Sequence, residues 1–362
     1  MPENKNQHIV PQHYLRFFSK ERDDASNKNE IKTICRYNLK KAVRQRASIK
    51  KTCIDNYFYG KEEESIEQKL RDIENIQAPI LSRLISSQYL DDFNLDKNFH
   101  LLAFVIFLHS RTKSARTLVS KVIDGYFTED FRMFCKNKHK DSIEEIDEEE
   151  INECKVHFDP RDTYTITMGG EIENVPYLSD LSQVLLINET QRHFITSDNP
   201  VIFYNYKIIK NKCLTGARCS GLMIFCPLTE NLLILYLDKN LYDICLDTPN
   251  TIRIKKESDI DSINRLQLLN CNEEIYYYDE HELNYIKDLY TSVKDDKKER
   301  NAIITKLQNN EIISVTTTDI SYRIKLSFIM LNKVNNIKYR RIMRKYKKDN
   351  PYPVFRDELS SY

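Results

Sequence analysis

LMIFCPLTENLLILYL, residues 222–237, decides the fold class. Two short β-rich apolar runs, LMIFC (222–226) and LLILYL (232–237), are separated by a polar, Pro-initiated turn, the pattern of neighbouring strands. Similar runs precede them: TYTIT (163–167), QVLLI (183–187), RHFIT (192–196) and VIFYN (201–205). They predict an antiparallel or mixed sheet between 162 and 238. Upstream, the period changes to that of helices. Ile66, Leu70, Ile73, Ile80 and Leu84 place an amphipathic stripe on a helix over about 62–90, with Pro79 kinking or splitting it. A second helix is expected over 97–123, apolar on every side from Phe99 to Leu108 and therefore buried. Residues 126–155 read as polar helix. Downstream, SDIDSINRLQLLN (258–270) returns to helix, with Ser258 or Asp259 as N-cap, and IYYY (275–278) is a further strand.

The first segments complete the plan. In HIVPQHYLRFF (8–18), Pro11 suits the first turn of a short helix whose Tyr14, Leu15 and Phe18 share one face. IKTICRY (31–37) and NYFY (56–59) read as strands. Residues 280–348 read as mostly helical. Because helices and strands are segregated rather than alternating, the class is α+β. The expected organisation is one α+β domain over 1–278, helical over about 60–155 and sheet-forming over about 160–278, followed by a helical extension with a basic end over 279–362.

Composition removes several function classes. The 362 residues carry 55 Lys+Arg against 54 Asp+Glu, a net charge of +1, so a nucleic-acid or membrane partner must meet a local patch. Six Gly and ten Pro exclude collagen-like architecture. The nine cysteines are odd in number and form no CxxC pair; Cys213, Cys219 and Cys226 lack zinc-knuckle spacing. No metal site is assigned. The opening MPENKNQHIVPQ has no apolar region of a signal peptide, and LLAFVIFL (101–108) is too short to span a bilayer. A reduced cytoplasmic location and no membrane span are expected.

GxxxxGK[ST], GxGxxG, GxSxG and HExxH are all absent from the sequence, which weighs against the enzymes that carry them. Four features remain. His8 precedes the Pro11 helix, where its ring can cap the helix or enter a pocket. Asp198 and Asn199, in Ile195–Thr196–Ser197–Asp198–Asn199–Pro200, end a strand, either as a site or as an Asx-turn. Arg111 ends the buried helix and needs an anionic partner, for which Asp198, Glu67, or a ligand phosphate or carboxylate are candidates, either as a structural ion pair or as an anion clamp. Glu67 and Glu74 share a helix face but lie about 10 Å apart along it, too far for one metal ion. The fourth feature is the stretch 338–348, where Lys338, Arg340, Arg341, Arg344, Lys345, Lys347 and Lys348 occur with no acid and with Tyr339 and Tyr346 interleaved to stack on bases or reach over lipid headgroups. DSIEEIDEEE (141–150) is acidic enough to neutralise it.

HIVPQHYLRFF (8–18), IEQKLRDIE (66–74), HSRT (109–112), FITSDNPV (194–201), CPLTENLLILYL (226–237) and INRLQLLN (263–270) together resemble the bacterial family of domain of unknown function 4238. The resemblance runs in order from about residue 8 to 278. It implies a cytoplasmic bacterial protein and brings forward His8, Pro11, Glu67, Arg111, Asp198, Asn199, Pro200 and Asn264. It supplies no mechanism. Members often carry Pro soon after the Arg matching Arg111, whereas Thr112–Lys113 follows here.

Three functions are compatible with these residues. The first is a nuclease-like effector of defence or of a mobile element, a hydrolase of phosphodiesters. In it His8 is acid or base, Asp198 and Glu67 are metal ligands or base and Arg111 clamps phosphate, with Asn199 a further candidate catalytic residue. Its basic helix holds nucleic acid, and a divalent metal is required only on this reading. The second is a non-catalytic binding or regulatory module whose polar residues form a structural network. The third is an enzyme of a small anionic substrate. The sequence leaves enzyme status, cofactor and oligomeric state open. The first reading requires His8, Arg111 and Asp198 to meet in one cavity.

Overall fold

The computed structural model describes residues 6–24, 30–59, 64–90, 95–141, 148–159, 173–206, 214–299, 301–306, 313–317, 320–346 and 354–361. The chain opens with β1 (Asn6–His8), α1 (Gln12–Arg16), β2 (Thr33–Asn38), β3 (Val43–Ser48) and β4 (Ile54–Asn56). Helices α2 (Glu64–Ser87), α3 (Leu95–Ser110), α4 (Lys113–Asp141) and α5 (Glu148–Glu153) follow, then α6 (173–178). The strands β5 (Ser182–Asn188), β6 (Thr196–Ser197), β7 (Ile202–Asn205), β8 (Leu222–Pro227), β9 (Leu232–Leu237), β10 (Tyr242–Ile244) and β11 (Thr251–Ile254) come next. The C-terminal part holds α7 (Glu257–Asn270), β12 (Glu274–Tyr277), α8 (Leu283–Thr291), β13 (Ala302–Lys306), β14 (Ile313–Thr317), β15 (Ile329–Leu331), α9 (Lys333–Tyr346) and α10 (Arg356–Ser361).

The central sheet has the order β11-β5-β9-β8-β7, with β11 parallel to β5 and the other pairs antiparallel. The runs 183–187, 201–205, 222–226 and 232–237 form β5, β7, β8 and β9 of this mixed sheet, whereas RHFIT (192–196) leads only into β6 of a second sheet and β11 lies beyond the expected span. Every residue of β8 and β9 is buried. Alternate side chains of a strand point to opposite faces, so a strand buried throughout is covered on both. One face, with Leu222, Ile224, Cys226, Leu232, Ile234 and Tyr236, meets Tyr14, Leu15 and Phe18 of α1, Leu81 and Leu84 of α2, and Leu101, Val105 and Leu108 of α3. The other, with Met223, Phe225, Leu233, Leu235 and Leu237, meets Ile260, Ile263 and Leu266 of α7 and Tyr339 and Ile342 of α9. Each such side chain contributes about 1.5–3 kcal/mol by leaving water. A four-stranded antiparallel sheet, β3-β2-β12-β6, packs on α7 and α8 through Tyr37, Ile275, Tyr277, Leu268 and Ile286.

Several expectations are corrected. The helix expected over 97–123 is two helices broken at Arg111–Thr112. Thr112 Oγ1 accepts from the Ala115 amide at 3.1 Å and donates to the His109 carbonyl at 3.0 Å, so the threonine caps α4 and halts α3. NYFY is not a strand: Asn56 ends β4 and 57–59 form a turn. β3 was not anticipated. Pro79 does not split α2, which runs through it. α7 begins at Glu257, and Asp259 instead accepts from the Ser327 amide and hydroxyl at 2.8 and 2.6 Å. Beyond residue 280, α8, α9 and α10 are helical as expected, but strands β13, β14 and β15 intervene. TYTIT (163–167) lies outside the described residues. So do positions 142–147 of the acidic stretch, while Glu148–Glu150 are exposed. Among the described residues, no helix is long and apolar enough to cross a membrane.

Candidate functional site

The apolar stripe of α1 dictates where its polar face goes. Tyr14, Leu15 and Phe18 are fully buried against the sheet. Tyr14 Oη donates to the Pro227 carbonyl at 2.8 Å and pairs with Thr196 Oγ1 at 2.7 Å, which fixes the helix rotation. Gln12, His13 and Arg16 are consequently turned away from the sheet, half-buried. They face α2 and line a cleft of about 580 Å³ whose other walls include His8, Tyr59, Arg71, Glu74 and Arg111.

The cleft is tied together by Arg111. Its Nη1 donates to Glu74 Oε1 at 2.5 Å, its Nε to Tyr59 Oη at 3.1 Å and its Nη2 to the His8 carbonyl at 3.1 Å. Tyr59 Oη in turn donates to the same His8 carbonyl at 3.0 Å. Along the opposite wall, Gln12 Nε2 donates to His8 Nδ1 at 3.4 Å, and Arg16 Nη2 donates to Gln12 Oε1 at 3.2 Å. His13 Nδ1 stands 3.6 Å from Glu74 Oε2. Burial alone would raise the Glu74 carboxyl; His13 and the Arg111 guanidinium outweigh it and hold the group at about 2.

Among the described residues, Arg16, Arg71 and Arg111 and two histidines share the walls with one carboxylate, Glu74. Burial depresses the Arg16 guanidinium below its ordinary value, and no carboxylate pairs with it among the described residues. Arg16 Nε and His13 Nε2 are buried polar atoms with no hydrogen-bond partner among the described residues. Leaving a cation partly desolvated and polar atoms unsatisfied costs free energy unless a further group meets them.

The expected site residues separate. His8 and Arg111 line the cleft together, but Asp198 and Asn199 are not in its lining. Asp198 follows β6 and accepts the backbone amides of Asn272, Glu273 and Glu274 at 2.9, 2.8 and 3.1 Å, with Cys271 Sγ at 3.4 Å. Burial pushes its carboxyl above the ordinary value, and the three amides oppose that. The carboxylate closes the turn between α7 and β12, because buried amides there need an acceptor. Asn199 is fully buried. Its Nδ2 donates to the Asn270 carbonyl at 2.9 Å, and its own carbonyl accepts from Gln267 and Asn270. Asn264 likewise holds the backbone of 193–195. Arg111 pairs with Glu74, not with Asp198, and the side chain of Glu67 lies outside the described residues. Among the described residues, no group of three or more His, Cys, Asp or Glu side chains is placed to hold a metal ion.

The basic stretch is also divided. Lys347, Lys348 and the Tyr346 side chain lie outside the described residues. Tyr339, expected to be available for stacking, is 3% exposed and belongs to the core beneath α9. Arg340, Arg341, Arg344 and Lys345 are exposed and Lys338 is half-buried. α9 covers the sheet face opposite to the one that carries α1, α2 and α3, so it does not extend the cleft. His13, Arg16 and Tyr59 were not singled out from the sequence. For the two α1 residues the signal was present: they are the polar complement of the Tyr14–Leu15–Phe18 stripe.

A mixed sheet covered on both faces by helices, with a cleft lined by three arginines and two histidines beside its first helix, defines an α+β protein. The chain belongs to the family described as protein of unknown function (DUF4238), whose model matches residues 6–281. That span contains all the cleft residues and ends before α9. No curated protein and no solved structure matches the chain.

Proposed function

We propose that the α1–α2 cleft binds the phosphate of a nucleotide or nucleic acid and that the chain acts there on phosphodiesters, in a nuclease-like reaction. The observation that carries this reading is Arg16, a half-buried guanidinium on the cleft wall with no carboxylate partner among the described residues. Guanidinium groups match phosphate oxygens in charge and in fork geometry. Arg16 and Arg71 hold the phosphate on this reading, while Arg111 is a positioning residue engaged with Glu74, Tyr59 and His8. His13, with Nδ1 turned toward Glu74, is the general acid or base. The test is titration of the full chain with inorganic phosphate and mononucleotides, followed by incubation with RNA and DNA, with and without Mg²⁺ or Mn²⁺. Binding that is lost in Arg16→Ala is expected. Equal, negligible binding by both proteins overturns the reading.

A second reading, a non-catalytic binding module, is favoured by the engagement of Asp198 and Asn199 with backbone groups. It predicts that nucleotide or nucleic acid binds in the same cleft and is recovered intact.

A further inference from the structure

The outward face of α9 carries two kinds of exposed side chain that water alone does not explain. Lys333, Arg340, Arg341, Arg344 and Lys345 are exposed, and none has an ion-pair partner among the described residues. The same face carries Val334 at 64% and Ile337 at 53% exposure, and Met330 of the preceding strand β15 is 58% exposed. The α9 positions Lys333, Val334, Ile337, Arg340, Arg341 and Arg344 recur at the three- and four-residue spacing of a single helical face. The inner face is occupied: Tyr339 and Ile342 are 3% exposed in the core. The helix itself contains no acid. Of the acids on neighbouring elements, Asp243, opposite Met330, accepts from Asn332 Nδ2 at 3.0 Å, while on α10, which packs against α9, Asp357 pairs with Arg218 at 2.7 Å and Glu358 accepts from the Phe355 amide at 2.9 Å.

We propose that this face docks on an anionic lipid surface, with the basic side chains among the headgroups and Met330, Val334 and Ile337 at the acyl boundary. Charge complementarity selects an anionic partner. The aliphatic residues select a membrane over a polynucleotide, because phosphate backbones offer nothing to exposed Met, Val and Ile. Single strands are held by stacking on aromatic rings, and Tyr339, the aromatic residue of α9 whose side chain is described, is buried in the core. A headgroup layer accepts both sets, the aliphatic tips below and the cations above. Docking here places lipid against the outer face of α9, on the side of the sheet away from the α1–α2 cleft.

The test is flotation of the full chain with vesicles of phosphatidylcholine alone and of phosphatidylcholine mixed with phosphatidylserine, beside single- and double-stranded oligonucleotides as rival probes. Binding to the mixed vesicles only, weakening as salt rises, is expected. The triple variant Arg340→Gln, Arg341→Gln, Arg344→Gln should lose affinity on the order of a hundredfold. The double variant Val334→Ser, Ile337→Ser should also lose it, while melting like the parent because both residues are exposed. No binding to mixed vesicles overturns the proposal, as does binding that the serine variant retains in full. Oligonucleotide binding that needs the arginines but not Val334 and Ile337, without vesicle binding, assigns the face to nucleic acid instead.

Discussion

Arg111, at the break between α3 and α4, is bonded to Glu74 of α2 at 2.5 Å, across 37 positions of chain. Three different acceptors converge on that one guanidinium: the Glu74 carboxylate, the Tyr59 hydroxyl and the His8 carbonyl. It therefore fixes the relative placement of β1, the turn after β4 and α2, which together form most of the cleft. Replacing it with Ala leaves each acceptor without that donor, and Arg111 is 5% exposed. The expected cost is about 2–4 kcal/mol of unfolding free energy, measured by urea denaturation. Arg111→Lys should recover little of it, since one ammonium cannot reproduce the fork. A loss below about 1 kcal/mol in Arg111→Ala would contradict this role.

Glu74 makes the cleft acid-sensitive. Its carboxyl is held at about 2 against an ordinary value of 4.5. A depressed carboxyl contributes stability that is fully present above its unfolded value and is lost as pH falls through its folded value. The window runs from about pH 4.5 down to about 2, and the contribution is at most about 3 kcal/mol. Glu74→Gln should be less stable than the parent at neutral pH and show a flatter stability profile across that window. Parallel profiles for the two proteins would refute the assignment.

Arg16 offers the opposite combination. It is a half-buried cation without a carboxylate partner among the described residues, so Arg16→Met removes a desolvation cost and keeps the apolar stem. Stability should be unchanged or rise by up to about 1 kcal/mol. Phosphate or nucleotide affinity should fall by about tenfold or more. Calorimetric titration beside a melting curve reads both. A large loss of stability with ligand affinity intact would mean that Arg16 is structural.

Asp198 should behave as an acceptor for backbone rather than as a reactive group. Asp198→Asn places an amide NH₂ against at least one of the amides of Asn272, Glu273 and Glu274, which need acceptors. The expected loss is about 1–3 kcal/mol, with ligand binding at the cleft unchanged in the folded protein. A variant as stable as the parent but unable to act on its ligand would return Asp198 to the reaction.

Local pattern decided a good deal. The runs at 222–226 and 232–237 are β8 and β9, and the Tyr14–Leu15–Phe18 stripe is the buried face of α1. The family was also readable from the order of short motifs. These depend on side-chain periodicity and turn chemistry, which act within a few residues. The break at Thr112 is not legible because a single side-chain cap interrupts a stretch, 97–123, that otherwise reads as continuous helix.

What only the tertiary structure decided is which charges meet. Arg111 had several possible carboxylates in the sequence; packing α2 against α3 places Glu74 at its guanidinium, while the turn between α7 and β12 engages Asp198. Tyr339 sits among basic residues in the chain, yet the sheet beneath α9 takes it into the core and leaves its neighbours outside. Electrostatic partnership depends on distance and desolvation, and both are set by the assembled layers rather than by neighbours in sequence.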